Sequence, residues 1–161
     1  MTTIAFSRRH GQIAADSCNT DASGARFQVD KIERLQSGCY FLGCGHLFTI
    51  NQCKEWAETG FDPEAMPDFE LFLEDPEEYG FGCLVISEDG SEAILLDGEM
   101  APAKVLDDLL AIGSGAAYAL GAMEAGASPV EAVEIAIARD GNSAGPVRMA
   151  EIVRKPNLRP V

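Results

Sequence analysis

An α+β fold is what this sequence predicts, and three observations carry that expectation. Strand and helix signals come in blocks, in the order strands, helix, strands, two adjacent helices, strand, whereas a parallel α/β sheet would alternate them one by one. Turn chemistry divides the apolar runs at short intervals, with "RRHG" at 8–11, "SG" at 37–38 and "EDGS" at 88–91. Finally, 161 residues, 47% of them hydrophobic, suffice for one core and not comfortably for two. Residues 1–161 are therefore expected to form a single domain.

Each element follows from periodicity and punctuation. "TTIAFS" (2–7) and "QIAAD" (12–16) read as strands joined by the "RRHG" turn, a hairpin at the N-terminus. Strands are expected from Asp30 to Leu35 and from Cys39 to Cys44. "HLFTINQCKEWAETG" then places Leu47, Ile50, Cys53, Lys54 and Ala57 on one helical face, with Gly60 as C-cap. "FGCLVISEDGSEAILLDGE" (81–99) holds two strands around "EDGS". "LLAIGSGAAYALGAMEAG" (109–126) is a buried strand passing through Gly113 and Gly115 into a small-residue helix that stops at Gly126. In "SPVEAVEIAIARDG" Ser128 is the N-cap, Pro129 occupies the first turn, and the helix runs to Gly141. The last strand is "PVRMAEIVRK" (146–155).

Between Phe61 and Tyr79 the chain changes character, with eight carboxylates, three prolines and no base. Such a segment does not sustain a long helix. It reads as a solvated acidic connector, with Phe69, Leu71, Phe72 and Leu73 available for one short docked turn.

Charge and cysteine usage narrow the function. A net charge of −14 and a pI near 4.4 repel nucleic acid and anionic membranes, leaving a basic partner open. No stretch approaches the roughly 20 apolar residues of a membrane span, and no basic-then-apolar leader opens the sequence, so a cytoplasmic, soluble protein is expected. Five cysteines, an odd number without CxxC spacing, indicate reduced thiols and neither a disulfide framework nor a zinc ribbon. No cofactor or metal is expected.

The candidate chemistry starts at "MTT". If Met1 is removed, Thr2 carries a hydroxyl and a free α-amine on one residue, a nucleophile with its own base. The amine's ordinary pKa of about 7.7 to 8.0 already suits that task. Read singly, the other residues have plain roles. Asp16 before Ser17 can end a strand, and Lys31 between Asp30 and Glu33 can be one more solvated charge. Ser114 between glycines can cap the following helix, His46 and His10 are a helix-start and a turn residue, and Cys39 and Cys44 are small strand fillers.

Together the fragments say more. "TTIAFSRRHGQIAADS", the lysine of "VDKIERL", "LLAIGSGAAYALGAMEAG" and "ARDGNSAGP" resemble, in order and rough spacing, the proteasome β-type subunits and HslV-like threonine peptidases. The resemblance implies a four-layer αββα sandwich of the N-terminal-nucleophile hydrolase type, here with a shortened second-helix region where the acidic segment lies. It implies Thr2 as nucleophile, exposed by removal of Met1, with Asp16 and Lys31 beside it. It also implies Ser114, Asp140 and Ser143 as the supporting group, and Gly45 in "GCGH" as the backbone oxyanion donor. Lys31 would lower the pKa of the amine while Asp16 holds and balances the lysine. The N-terminal hairpin is about two residues shorter than the family's, and an even deletion keeps Asp16 on the face of Thr2.

The implied activity is a threonine-type endopeptidase cleaving peptides or unfolded proteins within a self-compartmentalising homo-oligomeric ring, with an ATP-dependent unfoldase as a further partner. Two other classes remain open at this stage, a non-catalytic proteasome-like scaffold and an N-terminal-nucleophile amidase acting on a small molecule.

Overall fold

A computed structural model describes residues 2–153; Met1 and 154–161, including the end of the expected last strand, lie outside the described residues. The N-terminal hairpin forms as expected, from β1 (Thr3–Ser7) and β2 (Gln12–Ala15). β3 (Cys18–Thr20) and β4 (Arg26–Gln28) make a further hairpin, followed by β5 (Ile32–Arg34) and β6 (Tyr40–Gly45). Next come α1 (Leu47–Glu58), the short α2 (Glu70–Glu74), β7 (Phe81–Ile86), β8 (Ala93–Leu96) and a two-residue β9 (Ala103–Lys104). The chain continues as β10 (Leu109–Gly113), α3 (Ala116–Glu124), α4 (Pro129–Arg139) and β11 (Arg148–Glu151).

Two antiparallel sheets result, ordered β10-β1-β2-β11 and β5-β6-β7-β8-β9, with β3 and β4 paired apart from both. Strand alternation divides their side chains between distinct apolar clusters. Ile4, Phe6, Ile13 and Ala15 of the first sheet meet Tyr40, Leu42, Leu84 and Ile86 of the second in one buried cluster between the sheets. The opposite face of the first sheet, including Ala5 and Ala14, packs on Ala119 and Met123 of α3 and on Ala132, Val133 and Ala136 of α4. The outer face of the second sheet, including Phe41, Cys83 and Val85, packs on Cys53, Trp56 and Ala57 of α1. The layers run helices, sheet, sheet, helix, which is the αββα sandwich.

The structure departs from the sequence reading in several places, each with a local cause. Of the expected stripe on α1, Cys53 and Ala57 are buried and Ile50 packs against them, but Leu47 is 61% exposed and Thr49 and Trp56 complete the buried face. Gly60 is not the C-cap of α1; Thr59 is, and Gly60 follows it at φ +73°. At the end of α3 the C-cap is Ala125, with Gly126 beyond it at φ +105°. α4 starts as expected on Ser128, which with Glu131 forms a reciprocal capping box, but it stops at Arg139 so that Asp140 is the C-cap.

The acidic segment is more than a solvated connector. Phe69 is fully buried, stacked on Phe81 at 5.6 Å between ring centroids, and Phe72 meets the same ring edge-on at 5.2 Å. Phe61 packs edge-on against Trp56, whose indole N–H donates to the carbonyl of Asp62. The carboxylates face water while the rings between them complete the outer cluster of the second sheet. Phe69 holds a left-handed backbone, φ +51°, which bulky residues adopt only where packing compensates.

Candidate functional site

The site assembles at the start of β1, where the two sheets part. Thr2 precedes that strand, and a cavity of about 360 Å³ opens beside it, lined also by Cys44 and Gly45 of β6, Gly80, Phe81 and Gly82 around the start of β7, Leu95, Asp97, and Ile112, Gly113 and Ser114. Gly45 pairs with Phe81 across the sheet and has φ +107°; a Cβ there would sit 2.1 Å from the carbonyl oxygen of Gly80. Only glycine lets the backbone approach that closely.

The structure brings Thr2, Asp16 and Lys31 into direct contact. The Lys31 ammonium donates to Thr2 Oγ1 at 2.8 Å and to the Asp16 carboxylate oxygens at 3.0 and 3.1 Å. Asp16 is fully buried and the Lys31 side chain is 7% exposed. Neither is a solvated surface charge, contrary to the plain reading of Lys31. The carboxylate also accepts backbone N–H bonds from Thr3 at 2.8 Å, Cys18 at 3.2 Å and Ala144 at 3.3 Å. Asp16 therefore ends its strand and also joins β1, β3 and the loop after α4 around one charge. Lys31 is presented just before β5, on a segment held by the bond from Val29 N–H to the Ser17 carbonyl at 2.8 Å.

Ser114, Asp140 and Ser143 form the adjoining group. Both serine hydroxyls donate to Asp140 Oδ2 at 2.6 Å, and Asn142 N–H donates to Oδ1 at 3.2 Å. Burial disfavours the charge on Asp140, but the hydrogen bonds from Ser114, Ser143 and Asn142 outweigh it and hold the carboxyl below its ordinary range. Since Ser143 spends its proton on Asp140, the 2.6 Å contact between Thr3 Oγ1 and Ser143 Oγ is donated by Thr3. Ser114 Oγ lies 3.4 Å from the Thr2 carbonyl oxygen. Ser114 does not cap α3; Gly115 is the N-cap, and the serine hydroxyl goes to the charged acceptor instead.

The glycines flanking Ser114 are required by contact. At Gly113, φ +96°, a Cβ would lie 1.9 Å from the Thr2 carbonyl oxygen, and at Gly115 it would lie 2.0 Å from Thr3 Oγ1. "GSG" thus seats β10 against both threonines. Sequence reasoning missed Thr3, Asp97 and the small rim of Gly80 and Gly82. The signal for Thr3 was present in the doublet itself, since alternate strand residues face opposite layers. Cys44 lines the cavity wall, and burial pushes its thiol up to about 11, so it stays neutral near pH 7. His46 precedes α1, packed edge-on against Tyr79 at 4.6 Å. Among the described residues no cluster of three His, Cys, Asp or Glu side chains suits a metal ion.

No protein-family model and no curated protein matches the chain. Solved structures do. The crystal structure of eukaryotic HslV from Trypanosoma brucei superposes with a TM-score of 0.66 at 21% identity, covering 92% of this chain and 98% of that one. BPH from Thiobacillus denitrificans gives 0.68 at 20% identity, covering 97% and 100%. The same protein in complex with epoxomicin gives 0.66 at 18% identity, covering 94% and 99%. The fold is that of HslV and BPH over nearly the whole chain, and the described residues contain no helix long and apolar enough to cross a membrane.

Proposed function

We propose that this protein is a proteasome-like threonine endopeptidase in which Thr2, freed by removal of Met1, is the nucleophile. The observation that carries the reading is the bond from the Lys31 ammonium to Thr2 Oγ1, with Asp16 buried behind it. A threonine hydroxyl is a poor nucleophile, and a cation held against its oxygen favours the negative charge that grows there on deprotonation. The bond is made to the hydroxyl itself, so the lysine acts on the nucleophile as well as on the amine.

The reaction then runs as follows. The Thr2 α-amine takes the Oγ1 proton as the oxygen attacks the substrate carbonyl carbon, and the carbonyl π pair moves onto oxygen. The backbone N–H of Gly45 stabilises that oxyanion from across the cavity. The C–N bond breaks as the amine returns its proton to the leaving nitrogen, leaving an ester on Oγ1. Water, deprotonated by the same amine, attacks the ester carbonyl, and release of the acid restores the hydroxyl. Ser114, held by Asp140, meets the Thr2 carbonyl, and Ser143, held by the same carboxylate, meets the Thr3 hydroxyl, so the group positions the backbone at the nucleophile.

The chain works in this reading as one domain of a cytoplasmic homo-oligomeric ring, with peptides or unfolded protein as substrate and an ATP-dependent unfoldase as partner. Exposed apolar side chains at Tyr118 and Leu120 on α3, Ile135 on α4, and Leu47 and Phe48 on α1 support association. The test is hydrolysis of N-capped fluorogenic peptides by the Met1-free protein. Thr2→Ala abolishes it with folding unchanged, and a variant that cleaves as fast as the parent overturns the reading. Light scattering that returns a 17.2 kDa particle would favour an amidase acting on a small molecule.

A further inference from the structure

Asp97 is the only Asp, Glu, Lys or Arg among the residues lining the cavity beside Thr2. It is the first residue after β8, and its backbone carbonyl accepts from Met100 N–H at 2.8 Å. One carboxylate oxygen, Oδ1, accepts from Glu99 N–H at 3.0 Å, which fixes the group, and Oδ2 receives no bond from the described residues. No described Lys, Arg or His forms an ion pair with it. Beside the hydroxyls of Thr2 and Ser114 and the neutral Cys44 thiol, the wall is formed by Leu95 and Ile112 and by the side-chain-free rim of Gly45, Gly80 and Gly82. The nearby cation, Lys31, is already balanced by Asp16.

An apolar wall with one fixed, unbalanced carboxylate matches a side chain with a long aliphatic stem and a cationic end. We infer that Asp97 is a specificity-determining residue that makes this site select substrates with lysine or arginine at the residue whose carbonyl Thr2 attacks. The inference rests on the peptidase reading above. The stem lies along Leu95 and Ile112, and the guanidinium or ammonium donates to Asp97. An acidic side chain in the same place is repelled, and the net charge of −14 adds to the bias by drawing cationic substrates toward the mouth.

The test compares N-acetylated peptide coumarylamides that differ only at the attacked residue, carrying arginine, citrulline or glutamate. Citrulline keeps the shape of arginine without its charge. The expected kcat/KM for arginine exceeds that for citrulline by about tenfold, the scale of one charge-assisted hydrogen bond, and glutamate is poorest. In the unmutated protein the arginine-to-citrulline ratio falls between about 0.01 M and about 1 M salt, as screening shortens from about 30 Å to about 3 Å. Asp97→Asn brings the ratio toward one, and because the salt series needs no variant, a misfolded Asp97→Asn does not spare the inference. A ratio near one in the parent, a ratio insensitive to both salt and Asp97→Asn, or selection for a free N-terminal amine over an arginine side chain overturns the specificity and leaves the peptidase reading standing. Hydrolysis of none of these peptides overturns both.

Discussion

Replacing Lys31 by methionine separates what the buried charges do for the fold from what they do for the reaction. The substitution keeps an unbranched stem of similar bulk and removes a cation that donates to both Asp16 oxygens and to Thr2 Oγ1. Orphaning one partner of a buried pair costs about 3 to 5 kcal/mol. The N–H groups of Thr3, Cys18 and Ala144 still donate to Asp16, which places the expected loss near the lower figure. For a chain of this size, about 3 kcal/mol corresponds to a fall in Tm of roughly 6 to 12 °C. Peptide hydrolysis loses the donor held against the attacking oxygen and falls by about 100-fold or more. The double variant Lys31→Met with Asp16→Asn leaves no buried charge unpaired, so it recovers most of the melting temperature and none of the rate. Calorimetry and initial rates on the Met1-free protein read both. If Lys31→Met retains activity within tenfold of the parent, the ammonium is not acting on the hydroxyl and the mechanism is wrong.

Other substitutions probe the remaining geometry. Gly113→Ala places a Cβ within 1.9 Å of the Thr2 carbonyl oxygen at φ +96°, so peptide hydrolysis falls by about 100-fold through a displacement of Thr2 of order 1 Å; unchanged activity would mean that Thr2 is not held by β10. Phe69→Ala empties a buried ring site between Trp56 and Phe81 and costs about 3 to 5 kcal/mol in urea unfolding, whereas a solvated connector would lose almost nothing. Asp140 has its carboxyl held below the ordinary value of 3.8, so its contribution to stability is present above that pH and disappears as pH falls through its lower folded value. The Tm gap between parent and Asp140→Asn should therefore be open at pH 6 and narrow steadily below pH 3.8; a gap constant with pH rules out a charge effect. Neutralising Glu74, Asp75, Glu77 and Glu78 as amides leaves cleavage of small peptides unchanged, and slows a protein substrate only if the acidic segment docks an unfoldase.

What was legible in the sequence is what local chemistry determines. "RRHG" and the apolar alternation around it place the N-terminal hairpin, and Ser128 with Pro129 and Glu131 starts α4 at the residue expected. The spacing of Thr2, Asp16 and Lys31 is legible only through resemblance, because nothing local distinguishes a buried Lys31 from its charged neighbours Asp30 and Glu33. β3 and β4 escape notice because "CNT" and "RFQ" are largely polar or exposed, and their position is set by contacts distant in sequence such as the Ser17 hydroxyl donating to Pro146. The anchoring of Phe69 is hidden for a related reason. Carboxylates dominate its segment, while the Phe81 ring it stacks on belongs to a different element.

The opening threonine doublet has a consequence for maturation. Thr2 meets Lys31 and the cavity, whereas Thr3, one residue on, turns its hydroxyl to Ser143 on the helical side of the sheet. A chain trimmed one residue too far would still begin with threonine and would still pass a test for an N-terminal hydroxyl amino acid, yet its hydroxyl would point into the wrong layer. Under the proposed function, any removal of Met1 must therefore stop after a single cut. The fold itself supplies a brake on a second cut, because the Thr3 amide is held by Asp16 and the Thr2 carbonyl is packed against Gly113, which shields the peptide bond between the two threonines.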